Sequence, residues 1–541
     1  MEKMNGKTVS RKVIALGLDG ATFDLILPWV EEGILPHMAK ILREGVWGEL
    51  ESTIPPLTPP AWVSFMTGKN PGKHGIFDFR GPVNSDLQRS LISSRSITSR
   101  KIWDVINAEG KKVGIINIPV TYPPDEVDGF MISGMLTPNE EVDFTYPPDL
   151  KKRLISMIGD YVIDVDCGLY DHENAGEVKR FFNDLKYAFV KRKEALFFLM
   201  KDQPWDFLAA NFIVHDRIQH FFWKYLDKRS NLYYLNEAKR IRDTAVELYQ
   251  MVDDMIGLII DRMDKETSLF IMSDHGFGPQ DYSLSINGWL ANLGFLYTKR
   301  KDSTLRRWIK SVLPVGIRSK MRKMITKRVP ISERQEGLDV DYENSKAYFG
   351  GATVQGIYLR VEGDEYLKVR ETIKNGLLEF KDPITGEKFI DKVLFKEEVY
   401  YGGDLSTSPD ILFIARGYSA PGNATTERHH LILSRENSPW GFHHMNGIFI
   451  ALGESFKKGY RLKNSAIIDL APTILYTMGI SVPSDMDGRV LQEIFTEDYL
   501  DNHPISFAQV SGQTEKKEEK VYSKDEQEKI EKRLRGLGYL D

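Results

Sequence analysis

Four acidic or imidazole clusters stand at the ends of short apolar segments of the sequence. In chain order they are Asp19, Asp216 with His220, Asp274 with His275, and the neighbours His443 and His444. Carboxylates and imidazoles are common ligands of zinc and similar divalent ions. Because the carboxyl ends of parallel strands meet at one edge of a sheet, a single cleft can collect these side chains. The pattern therefore predicts a two-metal site.

No single cluster supports this prediction by itself. An Asp-Gly pair after a strand, as at Asp19, is more often a simple turn. Asp216 and His220 are four residues apart and share one face of a helix, but such pairs also arise by chance. A lone buried histidine is more often a hydrogen-bonded core residue. The prediction depends on the convergence of all four clusters.

Thr58 is the candidate nucleophile. Pro59 and Pro60 follow it, and a short helical pattern then ends at Gly68, which predicts Thr58 as the N-cap of a helix. The amino end of a helix favours an approaching phosphate, and a cation bound to the hydroxyl lowers its pKa. The alternative is that Thr58 serves only as a helix cap.

Short apolar segments alternate with longer helical patterns, as in parallel sheets joined by crossover helices. The predicted strands are Val13–Leu18, Val113–Ile118, Phe130–Ser133, Phe207–Val214, Leu269–Met272, Ile411–Ile414 and Ile448–Leu452. The predicted helices are Val178–Met200, Leu232–Met263 and Leu470–Met478. We expect an α/β fold with a mainly parallel sheet flanked by helices, and insertions at Pro82–Arg100 and Pro138–Gly176 near the site entrance.

The 541-residue chain is 42% hydrophobic and 28% charged, which is typical of a globular protein. Its net charge of −5 argues against nucleic-acid binding. The single cysteine, Cys167, excludes an internal disulfide or thiolate cluster and favours a cytoplasmic location. The apolar segment Val13–Leu18 is too short for a signal peptide, and no segment approaches the roughly 20 apolar residues that span a bilayer.

We expect one catalytic domain over about residues 10–500, with insertions at about 80–176 and 299–345, then a charged linker and helical tail over 511–541. The cationic stretch 299–328 is predicted as a solvated insertion, and weak contact with a membrane surface or an anionic substrate is the alternative. The helical pattern of the tail runs through Ile530 and Leu534. We expect this tail to dock on the body or on a partner rather than to take part in chemistry. The sequence does not indicate an oligomeric state.

The motifs, taken in order, resemble those of the alkaline phosphatase superfamily, and within it those of the type I phosphodiesterase/nucleotide pyrophosphatase family. They are Gly-Leu-Asp-Gly at Asp19, Thr-Pro-Pro-Ala-Trp at Thr58, Thr-Gly-Lys-Asn-Pro-Gly-Lys-His-Gly-Ile at Thr67, Asp-x-x-x-His at Asp216, Ser-Asp-His-Gly at Asp274 and Gly-x-His at His443. Asp469 and Asp487 extend the resemblance to about residue 490. It implies an alkaline phosphatase-like three-layer sandwich with cap insertions.

The resemblance also implies two divalent ions, with zinc favoured and manganese or another divalent ion as the alternative. One ion is expected among Asp19, Thr58, Asp274 and His275, and the other among Asp216, His220 and His443. His443 is preferred to His444 because the family's ligand lies four residues before the glycine that opens the next strand. In the implied reaction Thr58 attacks the phosphorus of a small phosphate ester, and water then releases the phosphothreonine.

The sequence departs from the family pattern beside Thr58. Many members carry an asparagine there whose amide, with a backbone N–H, holds a phosphate oxygen, whereas this chain has Pro59, Pro60 and Ala61. Lys69, Lys73 and His74 are candidates to hold the phosphate oxygen in place of that asparagine. The alternative is that these residues simply form a loop after the helix.

A dianionic monoester needs additional cationic groups, so the sequence favours phosphodiester or phosphoanhydride substrates. A phosphomonoesterase or mutase, or a phosphotransferase of the same superfamily, is the alternative. A sulfatase is disfavoured because the Cys/Ser-x-Pro-x-Arg signature is absent around Thr58. From another functional class, a catalytically silent metal-binding protein is disfavoured by the complete ligand set.

Overall fold

The computed structural model describes residues 11–84, 87–299, 340–351, 355–382, 385–509 and 521–540. Within them, a nine-stranded sheet forms the centre of the molecule. In spatial order its strands are Tyr460–Ala466, Val46–Glu51, Asn446–Leu452, Thr267–Met272, Lys12–Leu18, Phe207–Phe212, Val113–Ile116, Gly129–Ile132 and Thr145–Tyr146. The predicted α/β class and the mostly parallel central sheet are confirmed.

The middle of this sheet is parallel and buried on both faces. Lys12–Leu18 pairs in parallel with Phe207–Phe212 on one side and with Thr267–Met272 on the other. Strands covered on both faces have nearly continuous apolar sequences, which is why these segments lack the alternation of a half-exposed strand. Asn446–Leu452 runs antiparallel to its two neighbours.

Helices flank the sheet. Those of the described residues are Phe23–Glu31, Pro36–Glu44, Thr58–Thr67, Pro71–His74, Ile102–Ala108, Leu150–Ile158, Ala175–Asp202, Val214–Leu226, Asn236–Ile260, Ile286–Asn292, Gly363–Leu378, Lys396–Val399, Leu470–Thr477, Glu497–Asn502 and Lys524–Gly536. The predicted helix Leu232–Met263 is in fact a 3₁₀ turn, Asn231–Tyr234, followed by a separate helix, because Leu235 has extended backbone angles. None of the described helices is long and apolar enough to cross a membrane.

A smaller core lies beside a second sheet. Its strands, in spatial order, are Ala347–Phe349, Gly356–Leu359, Ile411–Ala415 and Ile390–Phe395. The strand predicted at Ile411–Ile414 therefore exists but belongs to this antiparallel sheet rather than to the central one. A short apolar segment shows that a strand is buried, but it does not show which sheet covers it.

The remaining strands are short. One three-stranded sheet consists of Gly422–Asn423, Tyr282–Ser285 and Ile432–Ser434. Two two-stranded sheets pair Gly441–His444 with Gly276–Pro279, and Val482–Pro483 with Phe507–Ala508. The predicted insertion Pro138–Gly176 contains the edge strand Thr145–Tyr146 and the helix Leu150–Ile158. Apart from Lys299, the cationic stretch 299–328 lies outside the described residues.

The C-terminal segment packs on the main core. The helix Lys524–Gly536 begins with a capping box at Ser523, and Ile530 and Leu534 on its inner face are buried. Arg80 pairs with Glu531 at 2.6 Å, and the backbone of Gly536 lies so close to Gly168 that a β-carbon on Gly536 would be 2.3 Å from the Gly168 nitrogen. The tail thus docks on the body of the protein, as expected from its sequence.

Candidate active site

Three neighbouring strands deliver the acidic and imidazole side chains to one edge of the central sheet. Asp19 follows Lys12–Leu18, Asp216 follows Phe207–Phe212 and Asp274 follows Thr267–Met272. The Asp216 N–H donates to the Asp19 carbonyl at 3.0 Å, which ties two of these loops together. This geometry arises because parallel strands end at the same edge.

The turn after Asp19 requires glycine. Gly20 has φ +68°, and a β-carbon there would lie 3.2 Å from the α-carbon of Asp216 and 3.1 Å from the ring of Phe277. The Gly20 N–H donates to Asp274 Oδ1 at 3.2 Å. A larger residue would therefore disturb both the backbone and the packing where the carboxylates meet.

Asp19, Asp274 and His275 form the first candidate metal group, with ligand atoms within 4.8 Å of one another. His275 Nε2 lies 3.3 Å from Asp274 Oδ2 and 3.9 Å from Asp19 Oδ1. Asp19 Oδ2 accepts hydrogen bonds from Asn211 at 3.0 Å and from Trp62 Nε1 at 3.3 Å. These donors orient the Asp19 carboxylate and leave its other oxygen directed toward His275.

Thr58 lies against this group. Its Oγ1 is 3.4 Å from His275 Nε2, and the residue is 1% exposed. Leu57 is the N-cap of the helix Thr58–Thr67, and Thr58 is its first helical residue, so the prediction of Thr58 as N-cap is wrong by one position. The prolines do lie in the first turn, and Gly68 ends the helix with φ +66°. The hydroxyl is thus free of the capping role and faces the cluster.

Asp216, His220 and His443 form a second compact group. His220 Nε2 is 3.2 Å from Asp216 Oδ1 and 3.1 Å from His443 Nε2, and His443 Nε2 is 3.4 Å from Asp216 Oδ1. Asp216 and His443 also form a candidate metal group with His275. The His275 and His443 rings stack with centroids 3.5 Å apart, so the two groups are adjacent.

Hydrogen bonds to backbone carbonyls fix two of the imidazoles. His275 Nδ1 lies 3.0 Å from the Gly276 oxygen, and His443 Nδ1 lies 3.0 Å from the Pro56 oxygen. A carbonyl only accepts, so Nδ1 carries the proton in each ring and the neutral ring presents a lone pair at Nε2. Both Nε2 atoms face the acidic cluster, as in a metal ligand held by a backbone hydrogen bond.

Burial and mutual repulsion perturb the ionisable groups. Burial, then the nearby Asp216 charge, raises the pKa of Asp19 to about 7, and burial with the charges of Asp19 and Asp216 raises the pKa of Asp274 well above its ordinary value. Burial lowers the pKa of His443 to about 4 and that of His275 well below its ordinary value. The site therefore contains buried carboxylates that repel one another and imidazoles that resist protonation.

Arg217 is a site residue that the sequence reasoning missed. Its guanidinium contacts Asp216 and pairs with Asp164 at 2.9 Å, and its side chain is almost fully buried. Burial opposes ionisation of Asp216, but His220 and Arg217 together hold the pKa of this carboxyl well below its usual range. Arg217 lies at a variable position of the Asp-x-x-x-His motif, so the motif does not distinguish it as a functional residue.

The structure separates the neighbours His443 and His444. Both lie on the strand Gly441–His444, where successive side chains point to opposite faces. His443 reaches His220, whereas the His444 ring packs over Gly278. Gly276 follows His275 without a positive φ; a β-carbon there would lie 2.0 Å from the Asn446 carbonyl oxygen, so close strand packing is the reason for glycine.

The three residues considered as substitutes for the missing phosphate donor are engaged elsewhere. Lys69 pairs with Asp485, and Lys73 pairs with Asp487. His74 Nε2 is 3.0 Å from Ser64 Oγ, and burial lowers the His74 pKa to about 3. These contacts hold the segment on the body of the protein, and Pro71–His74 forms a short helix rather than the loop of the alternative interpretation.

The docked tail reaches the second group. Tyr539 is 1% exposed, and its hydroxyl oxygen lies 3.0 Å from His220 Nε2, 3.2 Å from His443 Nε2 and 3.1 Å from Asp216 Oδ1. The tail thus docks on the body, as expected, and through Tyr539 it also contacts the candidate ligands, which the sequence did not indicate. Nothing in the spacing of Gly538-Tyr539-Leu540 distinguished this tyrosine from an ordinary core residue, since the contact joins residues more than 300 positions apart.

The donor set fits two divalent cations. Asp274 Oδ2 is buried without a hydrogen-bond partner in the described part of the chain, and the Nε2 atoms of His220 and His443 face each other at 3.1 Å. Buried carboxylate oxygens and imidazole lone pairs that converge in this way are stabilised by a cation. A mixture of oxygen and nitrogen donors suits zinc and related ions.

Comparisons with known proteins find a family model and several solved structures that this chain resembles. A model of the type I phosphodiesterase/nucleotide pyrophosphatase family matches residues 13–438. Phosphonoacetate hydrolase from Sinorhizobium meliloti 1021, in complex with phosphonoformate, has a TM-score of 0.54 at 15% identity, covering 88% of this chain and 99% of that chain. Murine ectonucleotide pyrophosphatase/phosphodiesterase 5 has a TM-score of 0.48 at 13% identity, and the match covers 90% of this chain and 100% of that chain. A search of curated proteins finds no match.

Proposed function

The chain belongs to the type I phosphodiesterase/nucleotide pyrophosphatase family and is a phosphohydrolase of that type, and we propose that Thr58 is its nucleophile in a metal-dependent reaction. The observation that carries this proposal is the position of Thr58 Oγ1, 3.4 Å from His275 Nε2 at the boundary of the two candidate metal groups. A buried hydroxyl at the start of a helix, beside converging ligands, is suited to nucleophilic attack on phosphorus.

The proposed reaction has two displacements. The Thr58 hydroxyl loses its proton to solvent, and its oxygen bonds to phosphorus while the bond to the leaving-group oxygen breaks. The leaving oxygen takes up a proton from solvent, and a phosphothreonine or its diester remains. Water then attacks phosphorus, and the bond to Thr58 breaks with return of a proton to its oxygen. Two bound cations supply positive charge that favours the ionised hydroxyl and offsets charge on the phosphoryl and leaving oxygens.

The chain's own residues have distinct tasks in this scheme. Asp19, Asp274 and His275 are proposed to hold one ion beside Thr58, and Asp216, His220 and His443 the other. Zinc is the ion proposed for both positions. Trp62 and Asn211 orient Asp19, while the Gly276 and Pro56 carbonyls orient the two imidazoles. The substrate is proposed to be a small phosphodiester or phosphoanhydride, and the single cysteine supports a cytoplasmic location.

We expect about two divalent ions per chain after reconstitution with zinc. Two adjacent sets of side chains, Asp19 with Asp274 and His275 and Asp216 with His220 and His443, include three buried carboxylates that repel one another without cations. Treatment with a chelator should abolish hydrolysis, and restored zinc should return it. Elemental analysis of the dialysed protein measures the number of metal ions per chain, and reconstitution with manganese is tested in parallel. At most one tightly bound ion per chain, or full activity without metal, contradicts the two-metal proposal.

Phosphodiesters should be cleaved with a kcat/KM about tenfold or more above that of monoesters, since a monoester dianion needs a further cation. In the structure Lys69 and Lys73 are paired with carboxylates, and Arg217 is held between Asp164 and Asp216. These cations are therefore already neutralised. Bis(4-nitrophenyl) phosphate and 4-nitrophenyl phosphate provide matched substrates with the same leaving group.

A clear preference for the monoester in that comparison would favour the phosphomonoesterase or mutase alternative. Adding an alcohol acceptor to the same assay tests the phosphotransferase alternative, because a transferase forms the new ester at the expense of free phosphate. A 4-nitrophenyl sulfate control tests sulfatase activity, which we expect to be absent.

A further inference from the structure

One atom from each residue of the second group and the hydroxyl oxygen of Tyr539 form a nearly regular tetrahedron. They are Asp216 Oδ1, His220 Nε2, His443 Nε2 and the Tyr539 hydroxyl oxygen. All six separations between them lie between 3.0 and 3.4 Å. The centre of a regular tetrahedron lies at about 0.6 of the edge from each corner, so an ion there would be about 1.8–2.1 Å from each atom, which matches zinc bound to nitrogen or oxygen.

Hydrogen bonds can join these four atoms in pairs, but they do not require all six separations to be short. His443 Nδ1 donates to Pro56, so His443 Nε2 is an acceptor in the neutral ring, and the Asp216 carboxylate only accepts. The Tyr539 hydroxyl has one proton to donate, and His220 Nε2 has at most one more, so hydrogen bonds use only some of the six close contacts. A cation at the centre satisfies all four atoms at once.

We infer that Tyr539 is the fourth protein ligand of the ion held by Asp216, His220 and His443, so that the C-terminal segment caps that ion. The inference rests on the metal site of the proposed function. A catalytic zinc ion keeps one position open for water or substrate, whereas an ion with four protein ligands is closed. Tyr539 therefore holds the position that a phosphate oxygen needs, and substrate must displace it.

The tail is built to present this tyrosine. The Tyr539 ring stacks on Phe79 with centroids 5.0 Å apart. Upstream in the same segment, the Tyr522 hydroxyl donates to the carbonyls of Ile92 at 3.2 Å and Leu136 at 3.1 Å. Together with the Arg80–Glu531 pair, these contacts anchor the segment on the body at points away from the four ligand atoms. Release of Tyr539 from the ion thus does not require release of the whole tail.

The test uses the metal-free full-length protein titrated with Co²⁺, which reports its ligands through its visible absorption. Tyr539→Phe removes only the hydroxyl and should change the spectrum of one of the two bound ions. It should also weaken that ion's binding by about tenfold or more, measured by competition with a chelator. Tyr522→Phe is the matched control, because it removes another buried hydroxyl from the same segment, and its spectrum should overlay that of the wild type. His220→Ala identifies the affected ion by losing it.

A spectrum and affinities identical to wild type in Tyr539→Phe, with one ion still lost in His220→Ala, would overturn the tyrosine ligand and leave the proposed function intact. If the wild type binds no ion that depends on His220, the second metal site itself fails, and both proposals fail with it. Wild-type protein loaded with Fe³⁺ gives a second measurement that needs no variant. A tyrosinate-to-iron absorption band is expected, and two bound iron ions per chain without this band contradict the inference.

Discussion

Replacing Thr58 with alanine is expected to lower kcat by about three orders of magnitude or more while the protein keeps its fold and its metal. The Thr58 hydroxyl is the only group of this residue that faces His275, and the alanine retains the backbone of the helix. Because Leu57 rather than Thr58 is the N-cap, the change removes no capping hydrogen bond, and the stability loss should be about 1 kcal/mol or less. Steady-state hydrolysis of bis(4-nitrophenyl) phosphate, with the metal content of each protein measured, gives the ratio of the variant kcat to the wild-type kcat.

Thr67→Ala is the matched control for this variant. Thr67 ends the same helix, is fully buried, and its hydroxyl donates to the Val63 carbonyl at 2.7 Å without reaching the site. It should keep near wild-type turnover, whereas Thr58→Ser should retain part of the activity through its hydroxyl. Turnover of Thr58→Ala close to that of Thr67→Ala would show that Thr58 is not the nucleophile.

The strand ends were predictable because they depend on local sequence. Asp19, Asp216 and Asp274 each follow an apolar segment, and the parallel pairing of three adjacent strands then brings them together. The sheet that receives a given strand depends on contacts far along the chain. For that reason the segment Ile411–Ala415 was recognised as a strand but not as part of a separate antiparallel sheet.

The contributions of Arg217 and Tyr539 were not predictable for a related reason. Arg217 acquires its role from Asp164, which lies in an insertion without clear strand periodicity. Tyr539 reaches the site only because the tail docks on Phe79, Arg80 and Gly168. Apolar periodicity indicates that a segment packs, but the surface that it covers is determined by tertiary complementarity.

Asp216→Asn is expected to release one of the two ions and to lower kcat/KM by about 100-fold or more. Asp216 Oδ1 is close to His220, His443 and Tyr539, so it takes part in three of the six close contacts among these four atoms. Asparagine preserves the shape but removes the charge that favours a divalent cation. Arg217 pairs with both Asp216 and Asp164. When the Asp216 charge is removed, Asp164 alone offsets the Arg217 charge, so the net charge beside the ion becomes more positive.

Asp253→Asn is the control that separates loss of a ligand from loss of any buried carboxylate. Asp253 is 2% exposed and accepts the N–H groups of His37 at 2.9 Å and Met38 at 2.7 Å, and it does not belong to either metal group. This variant is therefore expected to have a lower melting temperature and still to bind both ions. Elemental analysis and kcat/KM are measured on both variants. If Asp216→Asn retains two ions and the wild-type rate, Asp216 is not a ligand, and its partners His220 and His443 lose the charge that makes them a metal site.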